Sequence, residues 1–459
     1  MTAFKQAIVF FLLLIAGFNA AAQTTSEDIN AMKPGRLKRF GQQAARMGDP
    51  YSAIDYFQRY LELKPGNSGI TYLLAQQYLR ARDYATALEL FKTVYDADPD
   101  KYTLALFYYA QMLQMTGKHK EAEPLFNKFR KAYRDGPDSK KYTTLAKECA
   151  EGCKIAPSLI DSALEVEITH LDTSINKAHV EFSPISVAAD QMIYASLKSD
   201  KILYVVIDSA ENMPVRKFYA AKKEGETWKS TGEFTGPFNQ DKVNTGNGAF
   251  SPDGQRFYFT RCQPNEMDQV VCAIYISYLR EGKWTSPEKL NDEINDPRYT
   301  STQPTVGTDS RKGDEILYFV SDRPGGKGGL DIWYTTYNAK KNIFKEPKKA
   351  GSKINSVGDE MTPYFDMETR TLYFSSDGFP GLGGLDIFKS VGERTRWSEP
   401  QNVGYPINSV ADDIYFTVGK TREEGFFVSN REGGVALKNP TCCDDIYSYR
   451  WLKYVHVAI

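Results

Sequence analysis

SDRPGGKGGLDIW at residues 321–333 returns as SDGFPGLGGLDIF at 376–388 and, in worn form, after Val428. Each copy reads as a hairpin. A strand of aromatic and aliphatic residues leads into it, LYFV at 317–320 and LYFS at 372–375, and a second strand opens on Asp-Ile-aromatic. The glycines are expected to supply the positive φ angles of the turn, while Asp331 and Asp386 hold the loop by bonding its backbone.

Outward from that hairpin, the chain from Leu164 onward repeats three landmarks. An Ile-Asn pair stands at 175–176, 294–295, 354–355 and 407–408, with a degenerate relative near Asn239. A polar-proline step follows, at Ser183-Pro184, Ser251-Pro252, Gln303-Pro304 and Thr362-Pro363, with Ile414-Tyr415 in the last unit. The aromatic strand comes next: IYAS, FYFT, LYFV, LYFS and FFVS. Five such units, rich in strand formers and punctuated by glycine and proline, predict a five-bladed β-propeller. The phase of the ends predicts closure. VEITHL at 166–171 reads as an outer strand and DIYSYRW at 445–451 as a third strand, so the first can complete the last blade and remove two sheet edges.

Before this region, from about Met32 to Pro157, the pattern is helical with a shorter period. Ala53, Ala87 and Ala122 stand 34 and 35 residues apart, and Phe57, Phe91 and Phe126 keep the same spacing. Pro65 and Pro99 close two units. The spacing resembles tetratricopeptide repeats, with Arg82 in place of the usual small residue, and KKYTTLAKECAEGCKIA is expected to cap the stack. The expected organisation is therefore a signal peptide at 1–22, a helical solenoid at 23–157, a linker at 158–164, the propeller at 165–452 and a tail at 453–459.

Lys5, the apolar run Ala7–Phe18 and the small residues Ala20 to Ala22 have the layout of a secretory signal peptide cut before Gln23. The mature chain is expected outside the cytoplasm, without a membrane span or lipid anchor. With 57 basic and 58 acidic side chains among 459 residues the formal charge is −1, so no global field recruits nucleic acid. The six cysteines fall in three local pairs. Cys262 and Cys272 face each other across the neck of one hairpin and are a candidate disulfide. Cys149 and Cys153, one helical turn apart, fit a bridge poorly, with two free buried thiols as the alternative. The pairing of Cys442 and Cys443 stays open. His119, His170, His179 and His456 make no ligand-like spacing with the cysteines, so no metal or other cofactor is expected.

SPDGQRFYFT at 251–260 resembles the repeat of the TolB-type, WD-repeat-like propellers. The order of signal peptide, tetratricopeptide repeats, GG-L-D-I hairpins and a CCDDIY ending resembles the OmpA-family periplasmic proteins of the type IX secretion system. That resemblance implies a non-catalytic periplasmic scaffold associated with the outer membrane, with protein partners: an outer-membrane barrel of the PorP type or other secretion and gliding components. Longer members carry a peptidoglycan-gripping OmpA-like domain. This sequence stops at Ile459, and peptidoglycan binding is not expected of it.

Catalysis is not expected either. The loop at 376–388 departs from the sialidase Asp-box, since Gly378 directly follows Asp377 and no tryptophan stands where that motif needs one. The pairs Asp412-Asp413 and Asp444-Asp445 are adjacent, so on strands their side chains point to opposite faces and cannot share one glycosidic oxygen. Asp322, Asp377 and Asn430 occupy equivalent places in the hairpins. With Asp331, Asp386 and Asp445 they are candidate binding residues for a glycan, a small anion or calcium, with structural use as the alternative.

Overall fold

The computed structural model describes residues 26–199, 214–265, 269–338 and 343–452. The predicted signal peptide, the tail at 453–459 and with it His456 lie outside the described residues. Among the described residues the chain divides into two compact units, one ending at Ala81 and one beginning at Arg82.

The first unit holds the helices Ser26–Ala31, Pro34–Arg46, Pro50–Leu63 and Ser68–Arg80. Their starts are set by side-chain caps: Asp49 accepts from Ser52 N at 2.9 Å and Asn67 from Ile70 N at 3.1 Å, each satisfying a donor the helix leaves free. Ala53 and Phe57 are fully buried, and a Cβ at Gly41 would collide with the Phe57 ring. Small residues thus recur where two helices of a pair touch.

The second unit opens with the helices Tyr84–Ala97, Thr103–Met115, His119–Ala132 and Ser139–Asp161. Ala87, Phe91, Ala122 and Phe126 are fully buried, repeating the arrangement of Ala53 and Phe57. The linker expected at 158–164 is corrected: the last helix runs through Pro157 to Asp161. A proline removes one hydrogen bond but its φ is helical, so a further turn forms, closed by Ser162 N on Ser158 O at 3.0 Å.

Five antiparallel sheets follow, each a blade. Blade I is Glu181–Ala188, Gln191–Ser196, Lys217–Glu224 and Thr227–Glu233; blades II, III and IV begin at Asn244, Ser301 and Glu360. In those three the outer strand is broken into two-residue pieces. Blade V takes its inner three strands, Asp413–Val418, Glu424–Ser429 and Asp445–Trp451, from the end of the chain. Its outer strand is Val166–His170, which pairs antiparallel from Val166 opposite Trp451 to His170 opposite Tyr447. The ring is closed as the phase of the sequence predicts.

Closure gives every blade two neighbours, and this explains the unalternating aromatic runs. In Glu315–Ser321, Leu317 and Phe319 pack toward blade II while Ile316, Tyr318 and Val320 pack toward blade IV. Five clusters of this kind fill the five seams between blades. A strand buried on both faces has no solvent side to carry polar residues.

The Ile-Asn pairs have one structural job. Asn176, Asn239, Asn295, Asn355 and Asn408 each present their amide to one residue of a third strand: Ile446, Phe218, Ile274, Ile332 and Ile387. The side-chain oxygen accepts from that residue's N–H at 2.7–3.0 Å and the nitrogen donates to its carbonyl at 2.8–3.0 Å. A side-chain amide thereby pairs third-strand backbone groups that the outer strand does not reach. The preceding isoleucine, or Phe238 beside Asn239, is fully buried in a seam.

One landmark is corrected. Each innermost strand contains a bulge whose residue has positive φ: Ser183, Asn247, Gln303, Thr362 and Tyr415, all between 52 and 55° except Thr362 at 51°. The blade II member is Asn247-Gly248. Ser251-Pro252 instead belongs to the following turn, where Ser251 donates to Asp253 Oδ1 at 2.5 Å.

Three buried carboxyls, Glu181, Glu360 and Asp413, begin innermost strands. Burial pushes Glu181 and Glu360 up to about 8, against the lowering effect of donors such as Lys177 N and Ser356. An unfolded glutamate has released its proton by about pH 5, so between about pH 5 and 8 the folded chain holds protons that the unfolded chain lacks, and stability falls as pH rises through that window. Glu360→Gln is expected to flatten this slope, seen as a variant-minus-parent difference in Tm that grows more positive from pH 5 to 8; parallel profiles would contradict it. For the amide clip, Asn295→Ala leaves Ile274 and Leu290 backbone groups unpaired and is expected to cost about 2–4 kcal/mol in urea unfolding.

Candidate functional site

The repeated hairpins decide where the chemistry-bearing side chains go. Asp331 accepts from Lys327 N and Gly328 N at 2.8 and 3.2 Å, Asp386 from Gly383 N at 3.1 Å and Asp445 from Val435 N at 2.6 Å. Asp322, Asp377 and Asn430 accept from the N–H that precedes or begins the innermost strand of the same blade, on Thr300, Asp359 and Asp412, at 2.7–2.8 Å. The six candidate residues thus fall two to a blade in blades III, IV and V, and each is engaged by backbone. Among the described residues no group of three or more His, Cys, Asp or Glu side chains could hold a metal ion.

The glycines of these hairpins serve close approach more than turn geometry. Gly325 has a φ of 91°, but Gly328, Gly329, Gly383 and Gly384 do not have positive φ. A Cβ at Gly328 would collide with Gly358 O, and one at Gly383 with Val410 O, both in the next blade. That approach lets Glu360 N reach Leu330 O at 2.8 Å and Asp413 N reach Leu385 O at 2.7 Å. The expectation that these glycines supply positive φ angles is corrected: of those five only Gly325 does, and contact with the next blade demands the other four.

In blades IV and V the same loops have a second role, as the seat for the helices of their own unit. His119 Nε2 donates to Leu382 O at 2.7 Å and Gln114 Nε2 to Gly381 O at 3.2 Å. A Cβ at Gly152 would strike Gly381. Beside them, Tyr84 donates its hydroxyl to Asp412 Oδ2 at 3.2 Å and accepts from Asn430 Nδ2 at 2.9 Å.

Arg82 completes this junction. It stands at φ 58°, where the corresponding turns carry Gly48 and Gly117 at 74 and 77°, and a non-glycine residue there is strained. Its guanidinium pairs with Asp444 and lies 3.8 Å from Asp412. Burial works against the charge, but the two carboxylates outweigh it and raise the arginine's pKa. Asp444 is the counterpart of Leu330 and Leu385 in the other hairpins. Sequence reasoning singled out Arg82 as a departure and CCDDIY as an ending, without pairing them; a charge placed where each repeat is otherwise uncharged was the available signal.

The cysteines are placed as follows. Cys262 and Cys272 are direct cross-strand partners in blade II and are bonded, with Cα atoms 4.0 Å apart. Cys442 and Cys443 are bonded to each other, next to Asp444. Cys149 and Cys153 are free thiols, and burial raises both pKa values, the Cys153 thiol to about 12. Neither is a reactive thiolate at neutral pH.

At the ring's centre lies a cavity of about 410 Å3 between the bulges and the turns after the innermost strands. Its polar groups face one another. Tyr415 donates to Asn247 Oδ1 at 2.6 Å, Gln303 Oε1 accepts from Thr362 N at 2.7 Å, and Thr362 Oγ1 accepts from Tyr415 N at 3.1 Å. The lining carboxylates are Asp366 and Glu368. Asp366 is gripped at both oxygens by Arg422, at 2.7 and 3.1 Å, and despite burial its pKa is lowered; Glu368 is 3.2 Å from the same guanidinium. A general acid at neutral pH needs the opposite shift.

Tetratricopeptide repeat models match residues 39–102 and 78–146. No curated protein matches the chain. Among solved structures the chain is similar to the Sgt2 TPR domain from Aspergillus fumigatus, at 21% identity and TM-score 0.24 over 29% of this chain and 85% of that one. It is also similar to a thermostable family-43 glycoside hydrolase, at 12% identity and TM-score 0.37 over 63% and 94%. Trypanosoma rangeli sialidase in complex with the inhibitor DANA aligns at 9% identity and TM-score 0.36 over 63% and 60%. At these values the likenesses carry no inference about activity.

Arg82→Gly keeps the left-handed backbone comfortable and removes only the ion pairs, leaving Asp412 and Asp444 without their cation. Allowing for partial exposure, the expected loss is about 2–4 kcal/mol in denaturant unfolding, with earlier proteolysis between Asp161 and Val166. An unchanged midpoint would contradict a structural role for the pair.

Proposed function

We propose that this chain is a non-catalytic scaffold of the cell envelope, exported to the periplasm and associated with the outer membrane within a type IX secretion or gliding machinery. Its partners are proteins: an outer-membrane barrel or other components of that machinery. The observation that carries the reading is the use made of the repeated loops. Their carboxylates and amides hold backbone or seat the helices, so the chain offers rigid surfaces with no assembled reactive centre among the described residues. Tetratricopeptide repeats supply helical surfaces suited to protein ligands, and a propeller supplies loops that vary without disturbing the seams. No described helix is long and apolar enough to cross a membrane, so on this reading outer-membrane association runs through partners.

The cavity of about 410 Å3 favours a second reading, a propeller that binds a glycan or another small ligand of the envelope. The two separate in one experiment. Crosslinking the chain in outer-membrane fractions of its native host, followed by mass spectrometry, is expected to recover barrel or secretion components. Recovery of none, with retention of the purified chain on a glycan column, would replace the scaffold with the ligand-binding reading.

A further inference from the structure

Residues 127–147 carry seven basic and two acidic side chains, in a chain whose formal charge is −1. The helices His119–Ala132 and Ser139–Asp161 gather five of the seven along one groove of about 600 Å3: Arg130, Lys131, Arg134, Lys140 and Lys147. Lys131, Arg134, Lys140 and Lys147 are exposed and Arg130 is half-buried. Their local partners are few. Lys147 meets Glu148 at 2.8 Å and Arg130 donates to Asn127 Oδ1 at 3.2 Å, while Lys131, Arg134 and Lys140 have no partner among the described residues. The two acids within 127–147, Asp135 and Asp138, sit in the turn between the helices and are exposed, and Glu123 accepts from Asn127 Nδ2 at 3.3 Å.

Cations held this close repel one another, and a ligand of opposite charge relieves the repulsion. The lining narrows the class of ligand. Thr143 and Thr144 line the groove and spend their hydroxyl protons on Ser139 O and Lys140 O, so they offer acceptors to the backbone N–H groups of a peptide and no donor to a bare anion. No aromatic side chain lines it, so bases would find no stacking platform. No large exposed apolar side chain lies within 127–147, so there is no anchor for a bilayer interface. We infer that this groove binds an acidic, aspartate- and glutamate-rich segment of a partner protein. The inference rests on the scaffold reading only in taking the natural ligand to be a protein.

The test is fluorescence anisotropy of a labelled peptide of alternating aspartate and glutamate, titrated with the full chain at low and at physiological salt. Saturable binding that weakens with salt is expected, with affinity reduced at least about tenfold in Lys131→Glu/Arg134→Glu/Lys140→Glu. The control Lys348→Glu/Lys349→Glu, exposed in blade III, is expected to bind as the parent does. All three chains should share one circular dichroism melting curve, since the altered side chains are exposed. No saturable binding at low salt, equal loss in both variants, or tighter binding of phosphatidylserine vesicles or single-stranded DNA through the same side chains would overturn the inference. Envelope partners recovered equally by parent and triple variant would overturn it too, while leaving the scaffold reading standing.

Discussion

The pairing of Val166–His170 with Asp445–Trp451 is the constraint on which the propeller depends. Without it blade V would be a three-stranded sheet with an open edge, and the seam between blades V and I would lose Leu171 and Ile175 from its cluster. The pairing also brings His170 to Asp445 Oδ2, the same oxygen that accepts from the hairpin nitrogen of Val435. Chain ends far apart in sequence are therefore held by the same kind of ladder as any hairpin. The entropy of joining them is offset by two buried seams instead of one.

Within the closed ring the repeats differ in what their hairpins touch. Blade III's loop spends Asp331, Gly328 and Leu330 on itself and on blade IV. Blades IV and V make the same internal contacts and in addition present Gly381, Leu382, Asp412, Asn430 and Asp444 to the helices. The specialisation needs few changes: an arginine in a strained turn, an aspartate replacing a leucine, a glycine in the last helix. Strain at Arg82 persists because two carboxylates surround its charge.

Much of this was legible in the sequence, for a physical reason. Strands buried on both faces write themselves as runs such as LYFV, and helices packed in pairs write a small residue and an aromatic at fixed spacing. The Ile-Asn pairs were visible as a period, but their work, an amide pairing third-strand backbone, requires that strand to be in place. Ser251-Pro252 misled because a serine-proline step has the same local preferences in a bulge and in a turn; the spacing from Asn239 fits Asn247 better. The junction was not legible as a contact, since Arg82 and Asp444 are 362 residues apart and only the folded ring brings them together. The basic stretch at 127–147 was readable as a local excess of charge, but which of its side chains share one groove depends on how the two helices pack.

Ring closure is tested most directly by hydrogen exchange of the full chain, followed by mass spectrometry of peptides covering 166–170. The expected result is protection well above that of exposed turns for the N–H groups of 166–170 that bond Asp445–Trp451, and below that of Glu315–Ser321, which is paired on both sides. Exchange of 166–170 at the rate of exposed turns, with 445–451 also unprotected on its outer side, would mean an open ring and would contradict the account.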